Sequence, residues 1–92
     1  MAGEIRDNAA SRRYELDVDG HLAFVDYRID GDKITLLHTE VPRQLGGRGI
    51  GSLLAKGVLD AVRARGLKAV IRCDFLQAYI EKHPEYAGIV AR

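Results

Sequence analysis

The sequence has little of what marks several specialised classes of protein. It contains one cysteine, Cys73, and no tryptophan among its 92 residues. A single cysteine excludes an internal disulfide framework and a zinc site built from several cysteines. No apolar run approaches the roughly 18–20 residues that cross a membrane, and no basic-then-apolar signal peptide opens the chain. We therefore expect a cytoplasmic protein that has no membrane partner and binds no metal.

An excess of charge of either sign is also lacking. Fourteen Lys and Arg residues stand against thirteen Asp and Glu, which leaves a formal net charge of +1. A dedicated duplex-DNA binder needs a concentrated basic surface, and a single-strand binder needs an aromatic platform, so we expect no nucleic-acid partner. With 47% hydrophobic and 29% charged residues, the composition is that of a globular protein. The length predicts a single domain over residues 1–92.

Alternating apolar and polar residues dominate the first half of the chain. Residues 1–12 have no sustained period, and we interpret them as a loose N-terminal arm. Period-two patterns then cover residues 14–18 and 21–29, and a third run at residues 33–41 is β-branched and apolar. Asp19-Gly20 and Asp30-Gly31 separate these runs, and Asp-Gly is a strong signal for a tight hairpin turn. The pattern predicts an antiparallel meander of three strands.

The second half begins with a helical pattern. Apolar residues at helical spacing, which define one predicted buried face, are Ile50, Leu53, Leu54, Val58, Ala61 and Val62. Gly66 suits the left-handed position that ends a helix. A short strand at residues 67–72 completes a βαβ crossover, so it should run parallel to the third strand. A second helix is predicted at residues 75–82, with a last turn or two at 85–90. The fold class is therefore α+β, a mixed sheet of about four strands carrying two helices.

Glycines are concentrated between the third strand and the long helix, where residues 46–51 are Gly-Gly-Arg-Gly-Ile-Gly. Free N–H groups and the helix dipole favour an anion at a helix start, so a phosphate or pyrophosphate is the natural ligand. The alternative is a loop whose glycines only permit a turn. The spacing fits neither the phosphate-binding P-loop nor the Rossmann dinucleotide motif.

Three groups of residues together resemble a known family. Val41-Pro42 followed by Gly47-Arg48-Gly49-Ile50-Gly51-Ser52-Leu53-Leu54 resembles motif A of the GCN5-related N-acetyltransferases. The resemblance narrows to the minimal, single-domain branch of about ninety residues when this first group is extended by the preceding His38-Thr39-Glu40 and two later groups are included. These are Cys73-x-Phe75 and Tyr79-Ile80-x-x-His83-Pro84-Glu85-Tyr86. The resemblance extends over residues 14–90. This branch lacks the N-terminal helices that are usual in the superfamily.

The resemblance implies a minimal GNAT-like fold and acetyl-CoA, or CoA, as the cofactor. Backbone amides would hold its pyrophosphate, and the implied cofactor-binding residues are Val41, Gly46, Gly47, Arg48, Gly49, Ile50, Gly51 and Ser52. If the helix sets the register, Gly46 occupies the first motif position, where the family prefers Arg or Gln. A register two residues earlier would place Gln44 there. The implied activity is transfer of an acetyl group to an amine on a small molecule or peptide.

His38 and Glu40 are the candidates for the general base. An ammonium group must lose a proton before its nitrogen can attack a thioester, and the family often uses a carboxylate on the strand before motif A. The two residues lie two apart on one predicted strand, so we expect them to share a face with Ile34 and Leu36. The alternatives are a satisfied, half-buried histidine and a strand-end carboxylate in solvent.

Cys73 and Tyr79 are two further candidates that the resemblance suggests. Cys73 follows the crossover strand, where the family's splayed strands admit the pantetheine arm, so its thiol could exchange acyl groups with the cofactor. The alternative is a small buried hydrophobic residue. Tyr79 would act as the acid that protonates the departing thiolate, or else pack in the core as an aromatic.

The short chain also supports a different class of function. A non-catalytic module could bind CoA or acyl-CoA, or meet a protein partner, with little or no turnover. The elements that usually wall the acceptor pocket are missing from a chain of this length, and a homodimer could supply that wall.

Overall fold

The computed structural model describes residues 4–91, which form one five-stranded mixed sheet with helices packed on one side. The strands lie in the order β1-β2-β3-β4-β5. They are β1 (Arg6–Asn8), β2 (Arg13–Val18), β3 (His21–Asp30), β4 (Lys33–Glu40) and β5 (Lys68–Ile71). The helices are α1 (Ile50–Ala64) and α2 (Asp74–Lys82), with short 3₁₀ helices at Ala9–Ser11, Arg43–Leu45 and Pro84–Ile89. The predicted α+β class is confirmed.

The meander of β2, β3 and β4 is antiparallel, as the turn residues predict. Asp19 and Gly20 have φ of 53° and 81°, the positive values that the first turn requires. The second turn lies one residue later than expected. Asp30 still pairs with Lys33, so the two loop residues are Gly31 and Asp32.

The crossover through α1 brings β5 parallel to β4, as predicted, with Ile34 opposite Ala69. The core lies between α1 and one face of the sheet, and the buried residues of the helix are Ile50, Leu54, Ala55, Val58, Leu59 and Val62. Leu53, expected on that face, is 43% exposed. The buried stripe is centred closer to Leu54 and Val58 than the sequence spacing indicated. No helix within residues 4–91 is both long enough and apolar enough to span a bilayer.

The expectation of a loose N-terminal arm is wrong for the described part of that segment, and residues 1–3 lie outside it. Strand β1 pairs antiparallel with β2 and adds a fifth strand to the sheet. Polar contacts hold it in place: Arg6 donates to Glu15, which is 5% exposed, and the hydroxyl of Tyr27 donates to Asp7. These contacts have no sequence period, which is why periodicity did not reveal the strand.

Candidate functional site

The loop between β4 and α1 turns sharply at two glycines. Gly47 and Gly49 have φ of 76° and 71°, and a Cβ built on either would meet no atom within 4 Å. Leu45, which is 1% exposed, anchors the loop in the core. The first backbone hydrogen bond of α1 runs from the Leu53 amide to the Gly49 carbonyl. Within residues 4–91 the amides of residues 47–52 therefore donate to no recorded acceptor, an arrangement that suits an anion at the start of a helix.

These amides border a cleft of about 490 Å³ at the end of the sheet. The cleft runs from the end of β4 to the first turn of α1, and Phe75 of α2 forms one side. All but one of the residues expected to bind the cofactor line it, namely Val41, Gly46, Gly47, Gly49, Ile50, Gly51 and Ser52. Backbone and small side chains thus make most of the surface.

Arg48 is the exception, because its side chain points elsewhere. Its guanidinium donates to Asp19 over 2.9 Å and so joins the glycine loop to the β2–β3 turn. Both side chains are about half exposed. In this arrangement Arg48 stabilises the loop rather than facing the cleft.

A β-bulge at Leu37 overturns the expected orientation of His38 and Glu40. Tyr27 pairs with Leu36 and the preceding Asp26 pairs with His38, so Leu37 is an extra residue in β4. One extra residue reverses the alternation of side chains beyond it. His38 and Glu40 therefore lie on the open face of the sheet, away from the helices and away from the buried side chains of Ile34 and Leu36.

On that open face His38 and Glu40 form a hydrogen-bonded pair. The Nε2 atom of His38 lies 3.0 Å from Oε1 of Glu40, and the side chains are 58% and 53% exposed. The ring of Phe24 approaches the imidazole edge-on with centroids 6.4 Å apart. Glu40 also contributes to the cleft wall. The pair is thus accessible to solvent while standing next to the proposed anion site.

The same bulge turns Thr39 towards the core face, where it meets Cys73. Thr39 pairs with Val25, a core residue, and its Oγ1 lies 3.0 Å from Sγ of Cys73. The last backbone hydrogen bond between β4 and the residues that follow β5 runs from the Arg72 amide to the Leu36 carbonyl. Beyond it the strands separate, and the Thr39–Cys73 side-chain contact crosses the gap. Sequence reasoning missed Thr39, because only the bulge reveals which way it points.

Tyr79 lies in a different place from the other candidates. It lines a second groove of about 250 Å³ between α1 and α2, with Ser52, Phe75, Ala78, Lys82 and His83. Burial raises the pKa of Tyr79, so its phenol stays protonated at neutral pH. Tyr79 does not line the cleft, and Phe75 stands at the boundary between the two cavities. The structure therefore brings Cys73 to Thr39, which lines the cleft, while Tyr79 lines the neighbouring groove. Within residues 4–91 no group of three or more potential metal ligands occurs.

Comparisons with known proteins identify the family to which this sequence is similar. A family model described as GCN5-related N-acetyl-transferase matches residues 13–89. Protein NATD1 from chicken (Gallus gallus) is 34% identical over 84 residues, which are 88% of this chain and 76% of that protein. Protein NATD1 from mouse (Mus musculus) is 44% identical over 59 residues, 63% of this chain and 54% of that protein, so the match spans about half of the mouse relative.

A solved structure is also similar. The solution structure of a GCN5-like protein from Staphylococcus aureus superposes with a TM-score of 0.72 and 31% sequence identity. The match covers 96% of this chain and 87% of the other. The sheet and its helices are therefore shared over almost the whole length of the domain.

Proposed function

The chain belongs to the GCN5-related N-acetyltransferase family, and from that premise we propose that it binds acetyl-CoA and transfers the acetyl group to an amine. The observation that carries the proposal is the row of amides at residues 47–52, which lack acceptors within the described chain and border a cleft of about 490 Å³. Free amides at a helix start favour a phosphate, and glycines let a diphosphate approach the backbone closely.

The gap between the ends of β4 and β5 is the proposed position of the thioester end of acetyl-CoA. Thr39 and Cys73 flank this gap, and Thr39 also lines the cleft that leads from the glycine loop. A pantetheine arm extending from residues 47–52 along the cleft would reach that pair. Acetyl-CoA supplies an activated thioester there, and the chain's own residues orient it.

Glu40 and His38 are proposed to remove the proton from the incoming ammonium. They are hydrogen-bonded to each other, accessible from the open face, and adjacent to the cleft through Glu40. A base must reach the proton directly or through one water, and an exposed pair at the rim of the cleft meets that condition. The acceptor is then a small-molecule or peptide amine arriving from solvent.

Cys73 has two proposed roles, which experiment can separate. As a nucleophile, its sulfur would take the acetyl group while its proton passes to the CoA sulfur; the amine would then take the acetyl group and return a proton to Cys73. As a packing residue, the thiol would only close the gap beside Thr39. Tyr79 as the acid stays a prediction, because its ring lines the neighbouring groove.

The test combines binding with turnover. Calorimetry should detect acetyl-CoA binding, and free thiol should be released only when an amine from a panel of small amines and peptides is present. Glu40→Gln should reduce thiol release about 100-fold or more while leaving the Kd for acetyl-CoA unchanged. Glu81→Gln, an exposed carboxylate on α2, is the matched control and should match the unmodified protein. Absence of acetyl-CoA binding would contradict the whole proposal.

A second candidate is a CoA-binding module without turnover. The observation that favours it is the exposure of His38 and Glu40, which stand on an open sheet face rather than in an enclosed acceptor pocket. A second copy of the chain could wall that face, so turnover should be measured across protein concentrations. Tight binding of acetyl-CoA, with no thiol release for any amine at any protein concentration, would favour this candidate over the enzyme.

A further inference from the structure

A cavity of about 450 Å³ lies at the end of the sheet away from the glycine loop. It is lined by residues from the end of β3, from the segment between β1 and β2, and from the end of α1. Arg28, one of these residues, pairs with Thr35 near the start of β4. Roughly 15 Å of β4 separates Thr35 from Glu40 at the cleft, so the cavity is separate from the site proposed for acetyl-CoA.

Three arginines border this cavity. Arg12 precedes β2, Arg28 lies in β3, and Arg65 follows the last residue of α1. Arg12 and Arg28 are exposed, and their guanidinium groups make no hydrogen bond or ion pair within residues 4–91. A guanidinium stays charged at neutral pH. Two positive charges without a partner therefore meet at one cavity, in a protein whose formal net charge is only +1.

The acidic residue that lines the cavity does not offset these charges. Oδ1 of Asp7 accepts a hydrogen bond from the hydroxyl of Tyr27, and its Oδ2 lies 3.2 Å from Nη1 of Arg65. Burial, together with the hydrogen bond to Asp7, raises the pKa of Tyr27 to about 12, so the phenol adds no negative charge at neutral pH. Asp7 thus balances Arg65 and leaves the other two arginines unbalanced.

The backbone at Arg12 is fixed in a conformation that a long side chain rarely adopts. Its φ of 56° and ψ of 52° are left-handed, which glycine and asparagine tolerate better than arginine. The Arg12 amide donates to the Ala9 carbonyl over 3.1 Å, and the Arg12 carbonyl accepts from the Tyr27 amide over 2.9 Å. The turn itself therefore does not require arginine, and a ligand for the guanidinium explains the residue better.

Apolar surface lies next to the arginines. Ile29, which is 38% exposed, and Ala9 both line the cavity. A phosphate monoester carries roughly two negative charges at neutral pH, which matches the two unbalanced guanidinium groups. Guanidinium groups also bind phosphate oxygens through paired hydrogen bonds. The volume of about 450 Å³ is typical of a site for a small organic molecule.

We infer that this cavity binds a phosphorylated small molecule. The phosphate meets Arg12 and Arg28, and the carbon portion of the ester packs against Ile29. The site does not depend on the proposed function, because its ligand is neither the acetyl donor nor the amine that would accept the acetyl group.

Heteronuclear NMR titrations at constant ionic strength test the site with three probes: phenyl phosphate, inorganic phosphate and phenol. Phenyl phosphate should shift the amide signals of Ala9, Arg12 and Ile29 saturably. Inorganic phosphate should shift the same signals with a higher Kd, because it has no carbon portion to contact Ile29. Phenol should shift none of them, since it lacks the charge that the arginines bind.

Two variants and a matched control locate the phosphate. Arg12→Asn and Arg28→Gln should each raise the Kd for phenyl phosphate about 5- to 30-fold, since each removes a charged hydrogen-bond donor. Asparagine tolerates the left-handed conformation, so Arg12→Asn removes the cation without disturbing the turn. Arg72→Gln, which changes an exposed arginine that does not line the cavity, should leave that Kd unchanged.

Three results would overturn the inference. Signals that change only at residues 47–52 would place the phosphate at the glycine loop instead. Shifts that do not saturate would show that the probe binds no defined site. A Kd for phenyl phosphate that is the same in the unmodified protein and in both variants would exclude the arginines as its ligands. The proposed function is tested separately, by acetyl-CoA binding and thiol release, so either can fail while the other stands.

Discussion

Replacing Gly57 with alanine should change stability in opposite directions depending on the residue at position 5. Gly57 lies inside α1, where alanine is favoured over glycine by about 1 kcal/mol. Ile5 lies directly against it, however, and a Cβ on Gly57 would overlap Cγ1 of Ile5. No two unbonded carbons tolerate that overlap, so the isoleucine side chain must leave the helix surface.

The magnitude follows from what Ile5 loses. Truncating a completely buried isoleucine to alanine lowers the free energy of unfolding by about 2–5 kcal/mol. Ile5 is only partly buried against the core, so displacing its side chain should cost about 1–3 kcal/mol. Subtracting the gain in helix propensity, Gly57→Ala should lower the free energy of unfolding by up to about 2 kcal/mol. In an Ile5→Ala background the overlap is gone, because only the Cβ at position 5 remains, 3.3 Å from the new methyl group, a tight contact that a shift of a few tenths of an ångström relieves. There the same substitution should raise stability by up to about 1 kcal/mol.

Urea denaturation followed by circular dichroism, applied to all four proteins of the double-mutant cycle, measures this coupling. The result tests whether the segment before β1 packs on α1 in solution. If Gly57→Ala stabilises the protein by the same amount in both backgrounds, Ile5 does not occupy that position, and the packing of the N-terminal segment against α1 is wrong.

Four further outcomes are expected. Gly49→Ala places a methyl group in the cleft at a φ of 71°, so CoA affinity measured by calorimetry should fall, and an unchanged affinity would contradict the loop assignment. Cys73→Ser should abolish an acetylated protein species in mass spectrometry and cut turnover about 100-fold or more if the thiol is the nucleophile, whereas a mild effect assigns it to packing. Tyr79→Phe should lower kcat without changing the Kd for acetyl-CoA if the phenol is the acid, and an unchanged kcat refutes that role. Burial raises the pKa of Tyr27 from 10.0 to about 12. The contribution of Tyr27 to the free energy of unfolding is therefore complete below pH 10 and is lost as the pH rises towards 12. Tyr27→Phe should make that alkaline loss of stability smaller, and an identical pH dependence of stability in the two proteins would contradict this prediction.

The elements that sequence reasoning predicted well are those with strong local signals. The long helix has apolar residues at helical spacing over its whole length, and its end is marked by Gly66, whose φ is 70°. Asp19-Gly20 fixes the first hairpin because both residues adopt positive φ. The position of the glycine loop between strand and helix is as predicted, whereas its role as an anion site, inferred because so many glycines are costly unless something approaches the backbone, stays a prediction.

The elements that sequence reasoning missed depend on contacts between distant residues. Strand β1 is three residues long, too short to show a period. It is fixed by side chains that are far away in sequence, such as Tyr27, which lies 20 positions from its partner Asp7. Nothing local in residues 4–12 predicts those partners, so the sequence of this segment, polar and without a period, resembles that of a loose N-terminal arm.

The bulge in β4 has the largest effect on the candidate site, and the sequence conceals it. Residues 33–41 form an uninterrupted strand pattern, and the extra residue at Leu37 shows only in the pairing with β3. Without it, His38 and Glu40 would face the core and Thr39 would face solvent, so the base candidates and Thr39 would have exchanged sides and Thr39 would not meet Cys73. With it, Thr39 lines the cleft and contacts Cys73 on one face of the sheet, while the side chains of His38 and Glu40 lie on the other face. On the proposed function, the thioester and the amine then approach the strand gap from opposite faces of the sheet, and Glu40, at the rim of the cleft, stands next to both.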